Sequence, residues 1–78
     1  MEAAIPLMQL NIGKKAKVLS LSFDGALRRR ILDLGLIEGT EIASLYKSPS
    51  GNPAAYLIRG AVIALRSDVA GGIMVREC

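Results

Sequence analysis

The 78-residue chain is 51% hydrophobic, 4% aromatic and 22% charged, which leaves room for one small aliphatic core and excludes a disordered tail. Its net charge of +3 suits an acidic partner but falls short of the density of a dedicated nucleic-acid binder. The absence of histidine removes the usual general base, the commonest transition-metal ligand and every Ser/His or Cys/His nucleophile pair, so the composition reads as that of a non-enzyme.

In chain order, residues 1–9 read as a weakly anchored lead-in, with Ile5, Leu7 and Leu10 lying over the edge of a core. Glu2 stands where a secretory signal would be basic, and Pro6 and Gln9 interrupt the apolar stretch. The longest apolar runs, Ala54–Ile58 and Ala61–Leu65, are far short of the ~20 residues a membrane-spanning helix needs. A lone Cys78 excludes an internal disulfide, and the combined expectation is a cytoplasmic protein. After a turn with Gly13 at its sharp point, a first strand is expected over Ala16–Leu21. Ala16, Val18 and Ser20 share one of its faces, and Lys17, Leu19 and Leu21 the other.

Ser22 or Asp24, with Asp24 preferred, is placed to N-cap a short helix beginning at about Gly25. At about 100° per residue, Leu27, Ile31 and Leu34 form one stripe that is expected to face the sheet. Gly35 fits the left-handed position after the helix, which lets Leu36 pack back on Ile31 in a Schellman ending. A second strand is expected over Thr40–Lys47. The loop Ser48–Pro53 follows, excluded from any ladder by its two prolines. Strands over Ala54–Arg59 and Ala61–Arg66 meet at Gly60 in a tight hairpin. Ser67–Ala70 reads as a helical turn capped by Ser67 or Asp68, and a last strand covers Ile73–Arg76. Five short strands joined by tight turns predict a mainly β domain spanning residues 1–78. It is a small SH3-like antiparallel barrel with one short helix after the first strand, or an open sheet with the helix on one face.

The chemistry-bearing residues are few. Glu38 and Glu41 flank an exposed turn that needs polar residues anyway, Met74 and Cys78 are too few and too flexible to make a metal site, and the glycines form no phosphate cradle. No catalytic residue, cofactor site or metal ligand is assigned. Arg28, Arg29 and Arg30 are the densest charge cluster, and near a helix N-terminus they oppose the macrodipole. They read either as a solvated face, with Arg29 near Asp33, or as a surface that docks on an acidic protein. Leu32 lies about 140° off the core stripe beside Arg28. It reads as an interface edge or as packing for the lead-in or the proline loop. Tyr46 and Tyr56 lie on neighbouring strands and read as a cross-strand pair that serves either barrel packing or a contact patch. The candidate partner interface is therefore Arg28, Arg29, Leu32, Tyr46 and Tyr56.

An ordered set of residues also resembles the FeoA family and the related C-terminal domain of iron-dependent repressors. It comprises Leu7, Leu10, Gly13, Ala16 and Val18, then Arg30, Ile31, Gly35, Leu36 and Gly39, then Pro49, Gly51, Pro53 and Gly60, and finally Ile63, Ala64, Leu65, Arg66, Ala70, Ile73 and Val75. The absence of a helix-turn-helix segment favours the free-standing family. Glu38 and Asn52 depart from the usual proline and aspartate at those places. The resemblance implies an SH3-like barrel that serves ferrous iron transport and the wider field of transition metal ion binding. It would do so as an accessory to the cytosolic GTPase domain of a FeoB-type transporter, reaching the membrane only through that partner. It supplies no catalytic residues. The alternatives are a small barrel that binds single-stranded nucleic acid through Phe23, the tyrosines and the arginines, and a module that self-associates through an exposed strand edge.

Overall fold

Antiparallel strands carry most of the chain in the computed structural model, which describes residues 4–50 and 52–78. Glu2 and Gly51, which figured in the reading of the lead-in and the proline loop, lie outside the described residues. Six strands form among the described residues: β1 (Ile5–Pro6), β2 (Lys15–Leu21), β3 (Glu41–Lys47), β4 (Ala54–Ile58), β5 (Ala61–Leu65) and β6 (Ile73–Glu77). Helix α1 covers Gly25–Asp33, and the short α2 covers Ser67–Ala70. The strands form a single sheet in the order β1-β6-β2-β3-β4-β5, with every neighbouring pair antiparallel. This is the mainly β architecture expected from the sequence, with six strands in place of about five.

Pattern explains the individual elements. The β4–β5 hairpin closes through Arg59 (φ 52°) and Gly60 (φ 84°), between the paired residues Ile58 and Ala61. Two consecutive left-handed residues match the twist of the strands they join, as in a type I′ turn. The core gathers branched and small aliphatic side chains from β2, β3, β4, β5 and β6, with Val18, Ile42, Ile58, Ile73 and Val75 almost fully buried. Phe23 packs at its margin, so close to Gly72 that a Cβ there would lie 2.8 Å from its Cδ1.

Two bulges change which side chains face inward. In β2 the register shifts between Val18 and Ser20, so Leu21 opposes Ile73 and packs on the core while Ser20 is exposed. This corrects the expected face containing Ala16, Val18 and Ser20, because one extra residue inverts the alternation beyond it. In β3 the shift falls between Ser44 and Tyr46.

The lead-in is not weakly anchored. Ile5 and Pro6 pair with Val75 and Met74 of β6, and the 3-10 turn Leu7–Gln9 that follows drives Leu7 into the core, with Leu10 buried just beyond it. Helix α1 departs from expectation in the opposite sense. Ile31 is its one buried residue, while Leu27 and Leu34 are 41% and 38% exposed. The expected stripe reduces to Ile31, the only one of the three that enters the core cluster. Asp24 occupies the N-cap position without a side-chain capping bond, since the left-handed Gly25 (φ 65°) separates it from the first regular turn. Neither Ser67 nor Asp68 is the N-cap of α2. Arg66 holds that position, and the Ser67 amide donates instead to Asn52 Oδ1 at 3.0 Å, tying the proline loop to α2.

Candidate functional site

The outward surface of α1 starts from the corner that ends it. The Gly35 amide donates to the Leu32 carbonyl at 2.9 Å and the Leu36 amide to the Ile31 carbonyl at 3.3 Å, the two bonds of a Schellman ending. Gly35 (φ 93°) suits this place on two counts. Its backbone is left-handed, and a Cβ would stand 2.6 Å from Arg59 Cδ. Leu36 and Ile31 are both buried, as the sequence implied. The Thr40 hydroxyl donates to the Gly35 carbonyl at 2.9 Å. Two further bonds, Val18 amide to Thr40 carbonyl and Gly39 amide to Val18 carbonyl, fasten the corner to β2. The C-terminal end of α1 is therefore clamped.

From this clamp α1 projects its remaining side chains outward. Arg28, Arg29 and Leu32 come together, lining a depression of ≈ 500 Å³ with Gly25 and Asp33. Arg28 and Leu32 also line a narrower groove of ≈ 190 Å³ between α1 and β2, walled by Leu19, Leu21, Leu36 and Glu38. Arg28 Nη1 donates to the Leu21 carbonyl at 3.4 Å, which turns one guanidinium edge toward the sheet. No ion pair joins Arg29 to Asp33 among the described residues. The surface is cationic with apolar side chains between the charges: Leu32 within it, and Leu27, Leu34 and Ile37 exposed nearby in sequence.

Tyr46 and Tyr56 do not form the expected pair. Tyr56 opposes Ser44 and is 1% exposed, whereas Tyr46 opposes Ala55 and is 60% exposed. The bulge between Ser44 and Tyr46 sends the two rings to opposite faces of the sheet. Tyr56 is thus corrected from an interface residue to a core residue, and burial pushes its phenol pKa above 10.0. Tyr46 remains on the surface at the end of β3, on a different element from the arginines.

Sequence reasoning missed the exposure of Leu27, Leu34 and Ile37. No local signal marks it, because it depends on which side chains reach the core through contacts distant in sequence. It also missed an outer patch around Leu57 and Val62, a cross-strand pair at the sheet's end. Here a signal existed: Ala61–Leu65 is apolar on both faces, and an edge strand cannot bury both. Among the described residues no cluster of three or more His, Cys, Asp or Glu side chains is placed to hold a metal ion, and no helix is long and apolar enough to cross a membrane.

Comparison with known proteins gives a consistent picture. The FeoA domain model matches residues 5–77. The FeoA protein of Chlorobium tepidum, solved by NMR, is 34% identical with a TM-score of 0.87, covering 94% of this chain and 70% of its own. The FeoA-like protein of Clostridium acetobutylicum is 37% identical with a TM-score of 0.86, covering 96% and 87%. Stenotrophomonas maltophilia FeoA, a prokaryotic SH3 domain protein complexed with zinc, is 28% identical with a TM-score of 0.79, covering 96% and 88%. No curated protein matches the chain.

Proposed function

The chain belongs to the FeoA domain family, and from that premise we propose that it is a cytoplasmic, non-enzymatic accessory protein of ferrous iron uptake. In this reading it docks on the cytosolic GTPase region of a FeoB-type transporter and reaches the membrane only through that partner. The S. maltophilia relative is described as a candidate ferrous iron transport activating factor, which supports the same field of action.

The observation that carries the reading is the outward surface of α1. Arg28, Arg29 and Leu32 adjoin two depressions, on a helix with a single buried side chain. Mixed cationic and apolar surface of this kind suits an acidic protein face: the charges steer association, and the leucines contribute burial once water is displaced. No catalytic residue enters, in keeping with a chain that has no histidine.

An NMR titration of the labelled protein with the transporter's soluble GTPase domain tests the proposal. Shift perturbations are expected on α1 and the adjoining part of β2, and Arg28→Glu is expected to weaken binding by about tenfold. No perturbation at high micromolar concentration in any nucleotide state would sink the reading. The rival, a barrel that stacks single-stranded nucleic acid, is weakened by the placement of the aromatics. Tyr56 is buried, Phe23 packs beside Gly72, and Tyr46 stands at the end of β3.

A further inference from the structure

The two ends of the sheet are finished differently. At one end, β1 is two residues long and contains Pro6, and shortness and proline both blunt an edge. At the other, β5 runs five residues in unbroken register with β4, with no charge, no proline and no bulge. Natural edge strands are ordinarily guarded by one of those devices, and β5 has none of them.

The register shows which backbone groups are free. Ile58 and Ala61 close the two-residue hairpin as a hydrogen-bonded pair, so Ala61, Ile63 and Leu65 direct their amides and carbonyls to β4. Val62 and Ala64 therefore point theirs away from the sheet, and no backbone partner meets them among the described residues. On the outer face Val62 is 60% exposed and its cross-strand neighbour Leu57 is 38% exposed.

We propose that β5 is a strand-addition interface whose occupant is a second copy of this chain, paired antiparallel about a two-fold axis at Ile63. In this register Val62 of each copy pairs with Ala64 of the other, and all four outward groups of each copy find partners. On the outer face the pairing joins one continuous apolar row, Ala43, Leu57 and Val62 of one copy running into Ala64, Ala55 and Tyr46 of the other. The paired strands themselves carry no charge, and the nearest like charges, Arg59 and Arg66, lie beyond their ends. Nothing between Ala61 and Leu65 repels its symmetry mate, Arg66 falls opposite Gly60, and the Arg66 guanidinium already lies 4.0 Å from Asp68. The outward surface of α1 takes no part in the pairing.

Sedimentation across a concentration series, with amide exchange at single-residue resolution, tests the proposal. A small interface of this kind is expected to assemble between about 10 µM and 1 mM. Exchange at Val62 and Ala64 is expected to slow as concentration rises, while exchange at Ala61 and Ile63 stays slow throughout. Val62→Lys places a charge on the outer row at an exposed position that tolerates it, and is expected to give a folded monomer. A protein still monomeric at about 1 mM overturns the proposal. So does a dimer that survives Val62→Lys, or protection of Val62 and Ala64 that appears only when a transporter domain is added.

Discussion

Leu7 and Leu10 in the lead-in and Leu27 and Leu34 in and just after α1 are the same residue type, and the fold treats the two pairs in opposite ways. The first pair is fully buried and the second is about two-fifths exposed. The difference lies in what precedes them. The lead-in enters through a ladder, Ile5 with Val75 and Pro6 with Met74, which fixes the chain over the core before Leu7 is reached. Helix α1 has no ladder to hold it and is fastened at its C-terminal corner. At Leu7 and Leu10 burial therefore follows the backbone's attachment and not the apolar pattern alone, whereas on the α1 side Leu27 and Leu34 stay at the surface even beside the clamped corner.

The sharpest test of this contrast is a pair of truncations. Leu10→Ala is expected to cost about 2–5 kcal/mol in chemical denaturation, whereas Leu27→Ala should stay within about 0.5 kcal/mol. Equal costs would mean that the helix is docked after all. Next in size is Gly35→Ala, expected to cost about 1–2 kcal/mol because the left-handed backbone is strained by a Cβ and Arg59 must move aside. Thr40→Val, which deletes the hydroxyl bond to the Gly35 carbonyl, is expected to lose about 1 kcal/mol. The smallest stability effect belongs to Leu32→Ser, within about 0.5 kcal/mol by thermal denaturation. That same change should measurably weaken partner binding by calorimetry, and a variant with unaltered affinity would remove Leu32 from the docking surface.

Local grammar was legible in the sequence, and attachment at long range was not. The Gly60 hairpin, the Gly35 ending with Leu36 turned back on Ile31, and the strand spans follow from turn chemistry and alternation within a few residues. The burial of Leu7 was hidden because β1 finds its partner in β6, at the far end of the chain. The fate of the tyrosines turned on a bulge between Ser44 and Tyr46, a one-residue irregularity that reverses every later assignment in its strand. Asn52 reads as a loop residue until α2 supplies the Ser67 amide that its side chain accepts. Of the candidate interface residues, Arg28, Arg29 and Leu32 lie together on the surface, as neighbouring positions of one helix do. Tyr56 was misplaced because the bulge sets Ser44, and not Tyr46, across the sheet from it.

The clamp at Gly35 and Thr40 has a thermodynamic consequence for α1. A helix held at one end with one side chain in the core is a small cooperative unit whose opening exposes little apolar surface, so it opens at a free energy well below that of the whole domain. In the proposed complex, a partner closing over α1 would hold shut a segment of nine residues, which confines that part of the entropic cost of association to a short stretch of chain.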